Sequence, residues 1–250
     1  MTNPRERYKL NPKPKPLLTQ GNSDLKRDNV WVWTLPAWVT ELDDGRTVNT
    51  CPSAGVCAKL CYARRGTYNF SNVKAAHHRN LKRVLDDLWG WEAQLATELQ
   101  HPKFVGASVR IHDAGDFFSD HYLFAWMLII GSAPNTTFYA YTKEIERFRR
   151  MVEPRAPQNF RYVYSYGGRQ DHLITEQDRQ ANVFATVEAL QEAGFNDQAD
   201  SDLLAITGPP KVGIVANNHP AVHKAMQGQS FKQLQEGRHN ERRNTKPSNK

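Results

Sequence analysis

Two stretches in the first half of the chain show the alternation typical of strands. Residues 30–35 (VWVWTL) alternate valine with tryptophan, and residues 104–112 (FVGASVRIH) place apolar side chains at every second position. Ser108, Arg110 and His112 share the opposite face of the second stretch. Since successive side chains of a strand point to opposite faces of a sheet, this stretch predicts one face covered by helices and one face with polar neighbours.

Elsewhere, apolar residues recur at the three- and four-residue spacing of amphipathic helices, or in short runs that suit strands. The pattern predicts helices over residues 71–90, 91–99, 120–130, 144–152 and 177–193. It predicts further strands over residues 137–143, 160–166, 203–207 and 211–216.

Strands that alternate with helices over short connections imply a parallel sheet. The order of elements therefore predicts an α/β fold whose sheet is open or curved into a partial (β/α) barrel. The length of 250 residues suits one such domain or two small ones. Because no linker divides the chain, residues 29–231 are predicted to form a single barrel-like domain.

The two ends of the chain differ from its middle in charge. Residues 1–28 carry seven Lys and Arg against three Asp and Glu, and residues 232–250 carry six against two. Of the total charge of +7, each end therefore holds +4 and the middle −1. Both ends are polar and poor in apolar residues, which predicts a disordered basic N-terminal arm and a disordered basic C-terminal tail. Such ends act as solubilising tails or as arms attracted to nucleic acid.

Several classes of protein are disfavoured by what the sequence lacks. No apolar run approaches the ~20 residues that cross a bilayer, and the N-terminus lacks the apolar segment of a secretory signal. Three cysteines make a poor disulfide framework. We therefore expect a protein of the reducing cytoplasm, without a membrane partner. The glycine-rich phosphate loops of the common nucleotide-binding folds are also missing.

All three cysteines fall in one short segment, TCPSAGVCAKLCYARRG, as Cys51, Cys57 and Cys61. Pro52 and Gly55 make the segment loop-like, which lets the three thiolates turn toward a common centre. Shared chemistry explains this clustering better than three unrelated buried thiols do. The segment is therefore predicted to bind a metal.

Two kinds of metal centre fit three clustered cysteines. A structural zinc ion requires four ligands, so His77, His78 or a distant residue would have to supply the fourth. A [4Fe–4S] cluster tolerates three cysteines and leaves one iron open to another ligand. The residues favour the iron–sulfur cluster and keep zinc as the alternative.

The order of motifs resembles the N-terminal half of radical S-adenosylmethionine enzymes, with a cysteine triplet after a first strand, then a long helix and a second strand. More specifically, CPSAGVCAKLCYARRG, RIHDAGDFFS and FYAYTK resemble a phage-encoded family, the gene-product-eighty-eight type. The similarity covers residues 31–168. The cysteine spacing, C-x5-C-x3-C, departs from the usual C-x3-C-x2-C of the radical enzymes, and the aromatic Tyr62 follows the last cysteine instead of preceding it.

The resemblance implies a cofactor and an acidic residue to bind it. In radical S-adenosylmethionine enzymes, a Gly-Gly-Glu-like turn after the second strand binds the amino group of the cofactor. Ala114, Gly115 and Asp116 occupy the matching place in this chain. S-adenosylmethionine is therefore the implied cofactor, with Asp116 in the acidic role.

Further candidate residues lie where the second predicted strand ends, at the edge where α/β barrels hold their catalytic groups. His112 and Asp113 are candidates for acid–base or positioning roles, although His112 also suits a histidine satisfied by a backbone partner. Arg110 would hold a carboxylate or phosphate of a ligand, or pair with Asp116.

The next two predicted strands end at the same edge with Lys143 and Ser165, which are candidate cofactor-binding residues. Gly167 and Gly168 follow, and glycines there would let a ligand approach the backbone closely.

Two functions remain open at this level. The first is a radical S-adenosylmethionine-like enzyme with a [4Fe–4S] cluster, acting on an unknown substrate for which nucleic acid or a nucleotide is the first candidate. The second is an iron–sulfur or zinc protein without catalysis that binds nucleic acid or a host protein. An open iron that accepts S-adenosylmethionine would separate the two.

Overall fold

The structure, a computed structural model, describes residues 15–199, 201–216 and 220–244. Predictions that concern residues 1–14 and 245–250 lie outside the described residues. The strands of the described part are β1 (Val30–Trp33), β2 (Val39–Glu41), β3 (Thr47–Asn49), β4 (Ser108–Ile111), β5 (Thr137–Thr142), β6 (Phe160–Ser165), β7 (Gln180–Phe184), β8 (Asn196–Asp197) and β9 (Lys211–Val215). Its α-helices are α1 (Ser23–Arg27), α2 (Val56–Leu60), α3 (Ser71–Asp86), α4 (Leu88–Leu99), α5 (Asp120–Ser132), α6 (Ile145–Met151), α7 (Val187–Glu192), α8 (Leu204–Thr207), α9 (Pro220–Met226) and α10 (Phe231–Asn244).

Seven strands form one sheet in the order β1-β4-β5-β6-β7-β9-β8, and every neighbouring pair in it is parallel. The first six of these strands follow one another in chain order, so the chain winds across the sheet in one direction. β2 and β3 form a separate antiparallel pair between β1 and the cysteine segment. Because the strands are parallel, the ends of β4, β5 and β6 meet at one edge, which we call the carboxyl edge.

One face of the sheet carries the main hydrophobic core. Val109 and Ile111 of β4 and Phe138 and Ala140 of β5 pack there against helices α4, α5 and α6. The largest buried helix side chains of this layer are Trp91, Tyr122, Trp126 and Phe148. The alternation therefore places the apolar face of β4 correctly, although the strand covers only residues 108–111. His112 was predicted on the polar face and lies instead against the main core, because the strand ends before it and its backbone turns with a φ of +66°.

The opposite face, which we call the inner face, has a smaller core. Val30, Tyr139, Val163, Ala181 and Val212 line it, and α8 packs against them. The segment after β8 crosses this face, because the Ser201 hydroxyl donates a hydrogen bond to the Asp28 carboxylate, just before β1, over 2.6 Å. Ser201 thus connects the chain after β8 to the residue that precedes β1 by two positions.

The fold class is confirmed as α/β with a parallel sheet, and the sheet is open. No closed barrel forms within the described residues, since β1 and β8 are at opposite ends of the strand order and do not pair. The structure therefore excludes a closed barrel for the described residues, whereas a sheet with open ends agrees with both arrangements that the sequence predicts.

The predicted helix over residues 177–193 is wrong in its first half. Residues 180–184 form β7, and only residues 187–192 form a helix, α7. Gln180 and Asn182 are buried in β7 because each has a distant partner: Tyr166 donates to Gln180, and the backbone N–H of Lys232 donates to Asn182. Polar residues inside this strand interrupt the apolar pattern, so that the apolar residues of 177–193 recur at the spacing of a helix.

The predicted strand over residues 203–207 is also wrong, because this run forms α8. A short apolar run fits either structure by pattern alone. The guanidinium of Arg179 donates hydrogen bonds to the carbonyls of Leu204, Ala205 and Gly208 at the end of this helix. These bonds satisfy carbonyls that a helix end leaves without partners.

The structure corrects the prediction of disordered ends for residues 15–28 and 232–244. Leu17 and Leu18 are buried, and the backbone N–H of Leu17 donates to the Glu98 carboxylate over 2.7 Å. Thr19 pairs with Val32 of β1. At the other end, α10 begins at the buried Phe231 and contacts both α2 and β7. A few buried apolar side chains therefore hold both segments against the domain despite their polar composition.

Candidate functional site

The cysteine segment lies across the carboxyl edge of the sheet. Cys57 lies in α2 and Cys61 directly follows it, while Cys51 lies between β3 and α2. The carbonyl of Gly167, after β6, accepts hydrogen bonds from the backbone N–H groups of Gly55 (3.0 Å) and Cys57 (3.1 Å). These bonds hold the segment against the turn that ends β6.

The two glycines of that turn are required by close packing inside the chain. Gly167 has a φ of +97°, and a Cβ on it would lie 2.8 Å from the ring of Phe231. A Cβ on Gly168 would lie 3.1 Å from the carbonyl oxygen of Ser53 and 3.1 Å from the Cβ of Lys143. The space expected for a ligand is therefore filled by the cysteine segment and by α10.

The three cysteine residues are half-buried and are not joined in disulfides. Cys57 influences both Cys51 and Cys61 electrostatically. Cys51 Sγ accepts a hydrogen bond from the backbone N–H of Trp38 over 3.4 Å. Burial raises the pKa of Cys51, and the charges of Asp116 and Cys57 raise it further. Burial and Cys57 likewise raise the pKa of Cys61, to about 11. A thiolate at this place therefore needs a positive partner or a metal.

Lys143 supplies a positive charge beside these thiols. It directly follows β5, and its ammonium donates a hydrogen bond to the Ser165 hydroxyl over 2.8 Å. Burial alone would lower the pKa of Lys143, but the neighbouring Cys57, Asp116, Asp171 and Cys51 raise it overall. Ser165 is its hydrogen-bond partner among the described residues, which leaves two ammonium protons for other acceptors.

Asp116 is buried next to the cysteine segment and is already bonded on both oxygens. One oxygen accepts from the Thr142 hydroxyl (2.7 Å) and the Phe117 backbone N–H (2.8 Å), and the other from the Lys143 backbone N–H (2.9 Å). Its own N–H donates to the carbonyl of Thr50, beside Cys51. Asp116 therefore joins the ends of β4 and β5 to the start of the cysteine segment.

Two acidic residues that the sequence analysis missed complete this edge. Both carboxylate oxygens of Asp171 accept backbone N–H groups, from Gly167 and Gly168, each over 2.8 Å. Burial raises the pKa of Asp171 to about 6. Glu144 is buried and accepts from the backbone N–H of Ser53 over 2.8 Å. An acidic residue a few positions after a Gly-Gly turn was a signal available for Asp171.

His112 lies in the main hydrophobic core, away from the thiols. Its ring contacts Phe117 and Trp126, and its Nε2 lies 2.9 Å from the Tyr122 hydroxyl. Burial lowers its pKa to about 3, so the ring is neutral at pH 7. The hydrogen-bonding partner is a tyrosine, where the sequence suggested a backbone group. This environment supports a structural role for His112.

Arg110 and Asp113 form an ion-pair network on the inner face. The guanidinium of Arg110 contacts Asp202 over 2.6 Å and Asp113 over 3.3 Å, and does not pair with Asp116. The hydroxyl groups of Tyr62 and Tyr68 donate to the carbonyl and the carboxylate of Asp113, respectively. Asp113 thereby holds the segment that follows Cys61.

The structure thus brings together six of the predicted site residues. Cys51, Cys57, Cys61, Asp116, Lys143 and Ser165 meet at the carboxyl edge. Arg110 and Asp113 lie beside them on the inner face, and His112 lies in the core. The donor chemistry fits an iron–sulfur cluster, since three thiols lie within electrostatic range of the same partly buried cation. Among the described residues, no group of three His, Cys, Asp or Glu side chains is already arranged to hold a metal ion.

The fold and this edge define a parallel α/β protein with a three-thiol site at the carboxyl ends of its strands. The chain belongs to the Gene product 88 family, whose model matches residues 16–245. It is also similar to the Gene 88 protein of Mycobacterium phage L5, with 30% identity over 106 residues. That similarity spans 38% of this chain and 43% of the relative, which is less than half of either protein. The predicted resemblance to this phage family is confirmed.

No solved structure matches the chain significantly. Among the described residues, no helix combines the length and apolar character that crossing a membrane requires.

Proposed function

We propose that this chain is an iron–sulfur protein in which Cys51, Cys57 and Cys61 bind one [4Fe–4S] cluster at the carboxyl edge of the sheet. One observation carries the proposal: the only three cysteines of the chain lie on one anchored segment beside the partly buried ammonium of Lys143. A cluster held by three thiolates is an anion, and a buried anion needs a compensating cation. Zinc bound by the same thiols is the competing assignment.

The proposal extends to radical S-adenosylmethionine-like chemistry on a partial (β/α) barrel. Six parallel strands in chain order support it, as does the position of the cysteine segment between the first two of them. When bound, the cofactor would supply radical chemistry, for which the reduced cluster would donate the one electron needed. Lys143 and Ser165 would bind its carboxylate. Asp116, with three hydrogen bonds already accepted, would mainly position the turn that faces the cofactor.

A specific observation favours the second candidate, an iron–sulfur protein without catalysis that binds nucleic acid or a host protein. His112 is buried in the apolar core, and Asp116 is satisfied by the chain itself. Neither residue is therefore free to exchange protons with a ligand at the thiols. A cluster that stabilises the cysteine segment would then have a structural role.

Metal analysis combined with spectroscopy tests these alternatives. Protein purified without oxygen should be brown and contain about four iron and four sulfide per chain; colourless protein with one zinc per chain would refute the cluster. S-adenosylmethionine should then change the electron paramagnetic resonance spectrum of the reduced cluster if the fourth iron is open. A spectrum that ignores the cofactor would support the non-catalytic candidate.

A further inference from the structure

A large cavity lies apart from the thiols, along the free side of β1. Its volume is about 970 Å³, at the upper end of the range for small-molecule sites. Its walls come from the N-terminal segment with α1, from one side of α3, and from the inner face with residues 198, 199, 201 and 202. The cavity comes near the cysteine segment at Asp113, which accepts hydrogen bonds from Tyr68 of the cavity lining and from Tyr62 of that segment.

One rim of the cavity is basic. Lys15, Arg79 and Arg83 line it, and none of the three forms an ion pair with a described residue. Arg79 and Arg83 are one helical turn apart on α3, so both guanidinium groups can reach the same ligand. Arginines without acidic partners are suited to phosphate, which accepts two parallel hydrogen bonds from one guanidinium.

Another part of the lining is acidic. Asp28, Asp113 and Asp202 line it, together with the side-chain amide of Gln198. Asp113 and Asp202 share the single buried guanidinium of Arg110, so this group of three residues keeps a net negative charge. Carboxylates accept hydrogen bonds from hydroxyl and amino groups, the donors that sugars and bases carry.

Aromatic side chains also line the cavity. The rings of Tyr68 and His77 both line the cavity, with centroids 6.0 Å apart. Burial lowers the pKa of His77, which favours the neutral ring. A neutral aromatic surface next to polar groups is suited to stacking against a base.

The geometry points to a nucleoside phosphate as the ligand of this cavity. The phosphate would bind Arg79, Arg83 and Lys15, the base would lie against Tyr68 and His77, and the sugar or base donors would face Asp113 and Asp202. A free amino acid would leave most of 970 Å³ unfilled. Nucleotide binding in this cavity does not depend on the cluster. The further step, that the bound nucleotide is the substrate of the site at the carboxyl edge, rests on the proposed function.

Calorimetric titration of the full chain tests the site. The probes are the eight common ribo- and deoxyribonucleoside monophosphates, the corresponding nucleosides, and a short single-stranded oligonucleotide with a 5′-phosphate. At least one monophosphate should bind at one site per chain, at least tenfold more tightly than its nucleoside. The double variant Arg79→Ser/Arg83→Ser should weaken that binding at least tenfold. The variant Lys74→Ser/Lys82→Ser, on the same helix with the same charge change and outside this cavity, should bind normally.

The outcomes separate the sources of the ligand and the two proposals. Binding of the oligonucleotide alone, lost in the Arg79/Arg83 variant, would assign the site to the end of a nucleic-acid strand. Absence of saturable binding for every probe, or equal weakening in both double variants, would refute the inference. Nucleotide binding by protein that holds no iron would support the cavity and refute the cluster. Protein that holds iron but binds no nucleotide would support the cluster and refute the nucleotide site.

Discussion

The side-chain oxygen of Gln235 accepts a hydrogen bond from the backbone N–H of Val56 over 2.8 Å. These residues lie 179 positions apart, and the bond joins α10 to the first turn of α2, which contains Cys57. An N–H group at the start of a helix has no partner within the helix. The helix α10 therefore supplies a hydrogen-bond acceptor that the cysteine segment itself lacks.

Replacing Gln235 by Ala should lower the free energy of unfolding by about 1–3 kcal/mol, because the Val56 N–H would lose its acceptor in a partly buried place. Asn240→Ala, an exposed amide on the same helix, should change it by less than about 0.5 kcal/mol. Urea unfolding of both variants makes the comparison. Equal stability of the two variants would show that α10 does not support the cysteine segment.

Replacing any one of Cys51, Cys57 and Cys61 by Ala should abolish the cluster, since the chain has no other cysteine. Iron and sulfide analysis after purification without oxygen measures the loss. Ser53→Ala keeps the backbone contacts of the same segment and should retain iron. Full cluster content in a single cysteine variant would mean that the ligands are assigned wrongly.

Lys143→Met should lower the midpoint potential of the cluster, because the reduced cluster carries one more negative charge and would lose a nearby cation. Loss of a unit charge several ångströms away, at an effective dielectric constant of about 20, corresponds to a shift on the order of 100 mV. Potentiometric titration monitored by electron paramagnetic resonance measures it. Lys143→Arg should preserve most of the potential.

The exposed Lys59 on α2 provides the matched control for this measurement. Solvent screens an exposed charge, so Lys59→Met should shift the potential by much less. If both methionine variants gave the same shift, the burial of Lys143 would have no electrostatic consequence for the cluster.

His112 should make the protein less stable in mild acid. Its folded pKa, about 3, lies below the unfolded value of 6.5, so the unfolded state binds a proton first as the pH falls. Between pH 6.5 and 4.5 this group alone should cost about 2 kcal/mol of the free energy of unfolding. The measurement compares the wild type with His112→Gln, in which other titrating groups are common to both proteins.

As the pH falls, the free energy of unfolding of the wild type should decrease more than that of His112→Gln. A difference that does not depend on pH would mean that His112 titrates normally and is accessible to solvent. That result would return His112 to the candidate acid–base residues.

The alternation around Val109 and Arg110 was sufficient to predict a strand with one apolar and one polar face. The spacing of Cys51, Cys57 and Cys61 was likewise sufficient to place them on one short segment, although Cys57 lies in α2 and not in a loop. Such local patterns are reliable because residues that are close in sequence remain close in space, and side chains along a strand alternate between its two faces. The partner of Arg110 did not follow from pattern, since Asp202 lies 92 positions later.

The sequence by itself determined the parallel α/β class, the main strands and the three-thiol segment, because periodicity and residue spacing are local properties. Only the tertiary structure decided that residues 180–184 are a strand and that α10 docks on the cysteine segment. Gln180 and Asn182 are tolerated inside β7 through hydrogen bonds to distant groups, and Phe231 packs against Gly167. Contacts between residues far apart in the chain outweigh local preference when they satisfy buried polar groups and cover apolar ones.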